Sequence, residues 1–199
     1  DEVYEIGSGK GIITRELARR AGKVVAVERD PDLAARLKRR FDGEERVEIR
    51  CADFLDIPLR KARYKIFGNI PFNITTAVID KITSATRPPQ DTWLLVQKEA
   101  GRRFAGRPRT TLFSALAGPF FELSLGRMVR RTEFDPRPEV DAVPLRIRRR
   151  EKPLVAARHA DWYRKFVRWG FEVPQRDLKR TYKHLFTYVQ WRRLAHELG

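Results

Sequence analysis

The chain has 199 residues, 42% of them hydrophobic, with 42 Lys/Arg against 26 Asp/Glu, a formal charge of +16 and a pI near 10.6. That length holds one sizeable domain plus an appendage, and the positive excess points to a polyanionic partner, nucleic acid ahead of a membrane surface. No long apolar segment or secretory signal appears, and the single cysteine, Cys51, excludes an internal disulfide framework and fits a reducing cytoplasm.

Val3 to Ile6 reads as a strand. A chain that opens so abruptly on a strand is expected to have a segment upstream. Gly7-Ser8-Gly9-Lys10-Gly11 follows, and Ile12 to Ala18 reads as a helix. Strand, glycine-rich turn and helix together form the nucleotide-binding opening of a doubly wound sheet, where glycine lets the backbone approach a ligand closely. Val24 to Val27 is the second strand and ends in Glu28, 21 positions after Gly7. A carboxylate there can hold both hydroxyls of a ribose. Dinucleotide folds space their glycines G-x-G-x-x-G. Here the glycines fall at 7, 9 and 11 behind Glu5, which disfavours a nicotinamide oxidoreductase.

Asp30-Pro31 opens a helix that runs through Leu33, Leu37 and Phe41. Val47 to Cys51 is a third strand, with Cys51 read as a small core residue. Asp53 follows at the ligand edge and could accept a hydrogen bond from an adenine amine, with Phe54 covering that ring; the plainer role for Asp53 is to cap a turn.

Tyr64 to Phe67 is a strand and Ile74 to Ile82 a helix. Between them, Gly68-Asn69-Ile70-Pro71-Phe72-Asn73 lies at the carboxyl end of a strand, where open α/β sheets place their chemistry. Asn69 offers an amide oxygen, Ile70 a carbonyl held by Pro71, and Phe72 a flat apolar face. Two acceptors and a ring suit an extruded adenine gripped by its exocyclic amine. Taken alone, the same residues also make an ordinary turn.

Thr92 to Gln97 reads as a strand buried throughout, Lys98 to Phe104 as a helix, and Thr111 to Leu116 as a short apolar helix. Arg107 and Arg109 lie on a basic loop that either touches phosphates or is merely solvated. Leu123 to Arg130 and Val143 to Arg148 read as an antiparallel pair at the sheet edge. Between them, prolines at 136 and 138 stiffen a loop that could hold Phe134 over a pocket, with Arg137 as a further phosphate candidate.

Composition shifts at Arg146 to Pro153, so the domains are expected at 1–149 and 150–199. Three helical stretches follow: Asp161 to Trp169, Arg176 to Phe186 and Tyr188 to Leu198. Their aromatic stripes read as core. Arg176, Lys179, Arg180 and Lys183 form a basic face that is a candidate phosphate surface. The three histidines have no zinc-like arrangement with cysteine, and no metal is expected.

Glu5-Ile6-Gly7-Ser8-Gly9-Lys10-Gly11, Glu28, Asp53, Asn69-Ile70-Pro71-Phe72 and Phe134-x-Pro136-x-Pro138-x-Val140 occur in that order along nearly the whole chain. Together they resemble the ribosomal RNA adenine-N6 dimethyltransferases. The segment from Gly68 to Ile74 and the basic tail with Gln190-Trp191-Arg192-Arg193-Leu194 look most like the Erm branch. The resemblance implies a class I S-adenosylmethionine methyltransferase fold of the Rossmann-like α/β type: a seven-stranded sheet with a small C-terminal all-α domain. It implies S-adenosylmethionine as cofactor, bound by Glu5, Gly7, Ser8, Gly9, Gly11, Glu28, Asp53, Phe54 and Asn69. Asn69, Ile70, Pro71, Phe72 and Phe134 would be catalytic. The implied partner is 23S rRNA before ribosome assembly is complete, met by a cytoplasmic monomer that confers macrolide–lincosamide–streptogramin B resistance. Two departures stand out: the family's upstream Gln-Asn-Phe segment, which helps to bind the cofactor, is not in this sequence, and Ala142 stands where relatives often carry serine. The rival readings are a small-subunit rRNA adenine dimethyltransferase and a non-catalytic nucleic-acid-binding factor on the same fold.

Overall fold

In the computed structural model, residues 60–62, 135–136, 174–177, 183 and 199 lie outside the described residues, as do the side chains of residues 178, 179 and 198. Two units separate between Pro153 and Leu154.

The first unit, Asp1–Pro153, is built on a seven-stranded sheet of order β3-β2-β1-β4-β5-β7-β6. Strands β1 (Glu2–Ile6), β2 (Lys23–Glu28), β3 (Val47–Cys51), β4 (Tyr64–Asn69) and β5 (Asp91–Gln97) run parallel. β7 (Ala142–Arg149) runs antiparallel to β5 and to β6 (Phe121–Leu125). The crossovers carry α1 (Ile12–Ala18), α2 (Pro31–Arg40) and α3 (Thr75–Ser84). Helices α4 (Lys98–Phe104) and α5 (Leu112–Ala117) follow β5.

The local causes are plain. Val24, Val25, Ala26 and Val27 of β2 are all buried, as a parallel strand covered on both faces requires. Pro31 sits in the first turn of α2, and the Asp30 carboxylate accepts from the amides of Asp32 and Leu33, a side-chain cap of the helix N-terminus. Thr111 caps α5, its hydroxyl accepting from the Ser114 amide while the Ser114 hydroxyl accepts from the Thr111 amide. Tyr4 and Tyr64 meet edge-on at 5.6 Å in a core that also holds Ile66, Ile79, Leu94 and Leu145.

Four expectations change. Cys51 is exposed, because β3 is the outermost strand on its side of the sheet. β5 is buried only at alternate positions; on its other face Trp93 lies under the Arg146 guanidinium, 5.1 Å from the ring centroid. β6 starts at Phe121 and stops at Leu125 rather than running from Leu123 to Arg130. Its next partner is Pro144, which has no N–H to donate, so beyond the Gly126 amide bond to the Pro144 carbonyl only an isolated Val129–Ala142 bridge continues the pairing. Finally, β6 alone forms the edge, since β7 lies between it and β5.

The arginine run at the end of this unit is committed to the sheet. Arg146 makes a two-pronged ion pair with Asp91, with N···O distances from 2.6 to 3.2 Å. Arg148 and Arg150 both pair with Glu122, and the Arg149 guanidinium donates to the Pro88 carbonyl.

The second unit, Leu154–Gly199, contains α6 (Ala160–Glu172), α7 (Leu178–Thr181) and α8 (Tyr188–Leu198). The helix expected over Arg176 to Phe186 is confined to α7 among the described residues. Arg176 and Lys183 lie outside the described residues, as does the Lys179 side chain; Arg180 is exposed.

Candidate active site

β1 and β4 are neighbours, yet the chain leaves β1 toward β2 and β3 on one side and β4 toward β5 on the other. This is the topological switch point of the sheet, where an open α/β fold forms a ligand crevice beyond the carboxyl ends of its strands. Two loops emerge there: the glycine turn after Ile6 and the Asn-Ile-Pro-Phe segment after Gly68. The register pairs Ile6 with Gly68.

Gly7, Gly9 and Gly11 all take left-handed backbone conformations, with φ of 72°, 52° and 76°. At Gly7 a Cβ would stand 3.2 Å from the Asn69 carbonyl oxygen, so the two loops touch through their backbones. At Gly9 the nearest atom to such a Cβ is 4.0 Å away, leaving open space beside the turn. At Gly11 a Cβ would meet Leu37 at 2.6 Å, so this glycine serves the packing of α1 on α2 and Phe41. Gly7→Ala would therefore force an L side chain into a left-handed turn, at a cost of about 1–2 kcal/mol, and press on Asn69. A fall in Tm accompanied by weaker cofactor binding in calorimetry is expected; a variant unchanged in both would show that the turn is not rigid.

The carboxylates behind the turn have separate jobs. Glu5 is 2% exposed, and Thr14 Oγ1 donates to its Oε2 at 2.5 Å. Burial pushes its carboxyl above the usual range, opposed by the hydrogen bonds from Thr14 and Ser8. Glu5 thus ties β1 to α1 from beneath the glycines. Glu28 clamps the turn from its side: Gly9 N–H donates to Oε2 at 2.8 Å and Asp30 N–H to Oε1 at 2.9 Å. Each oxygen keeps a further lone pair, so the carboxylate can still accept two hydroxyls. The Asp53 Oδ1 accepts from the Leu55 amide at 2.9 Å, the turn-capping role, while Oδ2 lies 3.6 Å from Arg29. Phe54 is 3% exposed and packs in the hydrophobic core, where burial of its apolar ring is favourable.

Asn69 is the last residue of β4 and is exposed, whereas Ile70 is 2% exposed and anchored in the core. Pro71, with φ −56° and ψ 135°, turns the chain into a 3-10 turn over Phe72–Ile74 ahead of α3. The alternation of exposed Asn69, buried Ile70 and half-buried Phe72 lets Ile70 pin the loop while its neighbours stay accessible. Phe134 is half-buried and ends a 3-10 turn over Arg131–Glu133; the stiffening Pro136 lies outside the described residues. Arg107, Arg109 and Arg137 are exposed.

Sequence reasoning did not mark the cleft of about 420 Å³ beyond the carboxyl end of β5, where Gln97 and Lys98 face Arg131, Glu139 and Asp141. Its walls meet only because β7 pairs with β5, and the Lys98 amide bonds the Asp141 carbonyl at 3.0 Å. Among the described residues no cluster of His, Cys, Asp or Glu is placed to hold a metal ion, and no helix is long and apolar enough to cross a membrane.

The left-handed turn, the open space over Gly9 and the spare acceptor capacity of Glu28 fit the nucleoside part of S-adenosylmethionine. Comparison with known proteins agrees. The chain is 34% identical over 188 residues to the ribosomal RNA small subunit methyltransferase A of Geobacter metallireducens, covering 89% of this chain and 68% of that one. It is 38% identical over 153 residues to an rRNA adenine N-6-methyltransferase of Aeromicrobium erythreum, covering 77% of this chain but only 45% of that one. The crystal structure of the 23S rRNA methyltransferase ErmE superposes with a TM-score of 0.90 at 30% identity, covering 99% of this chain and 80% of that one. The family described as ribosomal RNA adenine dimethylase, whose methyl donor is S-adenosylmethionine, matches residues 1–196, and the chain belongs to it.

Proposed function

We propose that this chain methylates N6 of an adenine in 23S rRNA, and that in its host the modification confers macrolide–lincosamide–streptogramin B resistance. The observation that carries the reading is the contact between the glycine turn and Asn69 at the switch point, which supports an Asn-Ile-Pro-Phe loop that grips adenine beside the cofactor. The likeness to ErmE favours the large-subunit RNA. The identity to a small-subunit methyltransferase over 89% of the chain supports the rival reading, a 16S rRNA substrate.

An exocyclic aromatic amine is a poor nucleophile, because its lone pair is delocalised into the ring. The bound cofactor supplies an electrophilic methyl. The chain's own task is to take the adenine out of its stack and aim its nitrogen. The Asn69 side-chain oxygen and the Ile70 carbonyl accept the two N6–H bonds, pushing electron density back onto nitrogen and favouring a tetrahedral geometry. Phe72 and Phe134 hold the two faces of the base. The proton leaves only after nitrogen has become cationic, so water accepts it and no strong base is required. Most of the rate then comes from orientation. Arg107, Arg109, Arg137 and Arg180, with Arg176, Lys179 and Lys183, supply phosphate contacts that hold the RNA in register.

The deciding experiment is methyl transfer from labelled cofactor to 23S- and 16S-derived RNA fragments, with mass spectrometry of the product. Methylation confined to an adenine of the 23S fragment, together with raised macrolide tolerance in a host expressing the protein, is the expected result. Methylation of the 16S fragment alone would assign the chain to the rival. The stacking role has its own check. Phe72→Ala should weaken binding of the target RNA by about 1–3 kcal/mol, the value of one base-stacking ring, whereas Phe72→Tyr should retain it. Equal losses in the two variants would remove Phe72 from the base pocket.

A further inference from the structure

The aromatic residues of the second unit do more than fill a core. Trp162 and Phe166 stack at 5.2 Å with planes 17° apart, and Phe166 stacks on Tyr182 at 4.1 Å and 13°. The far end of this column is fixed. Tyr182 is 4% exposed, and its hydroxyl donates to the Phe166 carbonyl at 2.8 Å. Gly170 makes room for it, since a Cβ there would come within 2.0 Å of the Tyr182 hydroxyl oxygen. The near end is open: Trp162 is 63% exposed although Phe166 covers one of its faces.

The surroundings of Trp162 combine an apolar floor with positive charge. A cleft of about 550 Å³ beside it is lined by Leu154, Val155, Ala156, His159 and Tyr163. Exposed cations lie nearby in the chain, Arg158 in the 3-10 turn over Ala157–His159 that precedes α6 and Lys165 three residues after Trp162 on α6. Arg164 is paired with Asp161 at 2.8 Å, and Arg158 Nε donates to His159 Nε2 at 3.1 Å, which leaves the rest of the Arg158 guanidinium exposed. From Leu154 to Gly199 the sequence holds ten Lys/Arg against four Asp/Glu. An indole whose one face is held rigidly, and whose other surroundings are apolar and flanked by cations, has the make-up of a single-strand stacking platform: the next ring in the column would be a base, with its phosphates near the cations.

We propose that Trp162 is a stacking site for an unpaired RNA base, a second contact separate from the residues that grip the target adenine. The inference rests on the reading that the substrate is RNA, but not on which adenine is methylated. It also changes the view of the aromatic stripe as core only: Phe166 and Tyr182 are the support, and Trp162 is the working face.

The test uses the whole chain, a single-stranded oligouridylate and a fully paired RNA duplex of the same length. Trp162→Ala should weaken binding of the single strand about tenfold, within the range for one stacked base, with binding of the duplex changed less than twofold. Trp162→Phe should restore the single-strand affinity. Should the alanine variant fail to fold, the native chain still gives an answer: photo-crosslinking to oligo-bromouridylate is expected to map to the peptide carrying Trp162. An equal loss on strand and duplex, no loss on either, or crosslinks confined to other peptides would overturn the proposal, and in the last case an apolar protein segment becomes the better occupant. Methylation assayed in parallel keeps the two readings apart. A native chain that stacks the oligonucleotide through Trp162 yet methylates no RNA would sink the proposed activity and leave this site standing.

Discussion

Replacing Asn69 by alanine is expected to slow single-turnover methylation by roughly 100-fold or more, the scale on which removal of one preorganised polar group from a reacting centre is felt, while RNA affinity changes only a few-fold. Asn69 has no packing task to confound the result. It is exposed at the end of β4, and its neighbour Ile70 anchors the loop in the core. Its backbone position is set by the glycine turn, 3.2 Å from where a Gly7 Cβ would be. In the proposed mechanism the side-chain oxygen would meet an N6–H bond that grows more acidic as nitrogen becomes tetrahedral, so its contribution would be larger in the transition state than in the bound substrate. Loss of turnover without loss of binding is the signature of such a group. The check is single-turnover methylation measured beside RNA binding. Near-normal turnover in Asn69→Ala would mean that the segment is only a turn and that the amine is held elsewhere.

Glu28→Ala is expected to weaken cofactor binding by about 2–3 kcal/mol, the upper part of the range for a hydrogen bond to a charged group. The expected effect has two sources. Both carboxylate oxygens already accept backbone amides, one from Gly9 and one from Asp30, so the substitution loosens the glycine turn before any ligand arrives. It also removes the acceptors that would hold the ribose hydroxyls. Glu28→Gln rescues only part of the first loss, because its oxygen can accept from one of the Gly9 and Asp30 amides while its amino group faces the other, donor against donor. Calorimetry with S-adenosylmethionine and thermal melting of the free protein divide the two contributions. A folded Glu28→Ala variant with unchanged cofactor affinity would leave Glu28 as a loop clamp and nothing more.

The local part of this architecture was legible in the amino-acid sequence. The wholly apolar run at 24–27 and the mainly apolar runs at 3–6 and 64–67, each with one charged residue, read as strands, and β2, β1 and β4 fall there. The glycines at 7, 9 and 11 mark a turn that only residues tolerant of positive φ can make. Asn69-Ile70-Pro71-Phe72 stood out because each residue carries a distinct chemical offering in a place where strands end. All of these are properties of a few consecutive residues.

What the tertiary structure alone decided are matters of pairing between distant segments. Nothing local in Phe54 says how deeply its ring is buried; the packing of its neighbours does. Cys51 is exposed because β3 takes the outermost place on its side of the sheet, a fact of strand order and not of the strand itself. The arginines from 146 to 150 look like part of one basic tail, yet pairing of β7 with β5 and β6 brings Asp91, Glu122 and the Pro88 carbonyl within their reach. Arg146, Arg148 and Arg150 thereby share two carboxylates that offset part of their charge, while Arg148 and Arg149 remain exposed. Glu28 shows the same limit: its distance from Gly7 along the chain fitted a ribose ligand, but only the β1–β2 register shows that its carboxylate first holds the turn. Periodicity and side-chain chemistry are encoded residue by residue, whereas the partner of a buried or charged group is set by which strands lie side by side.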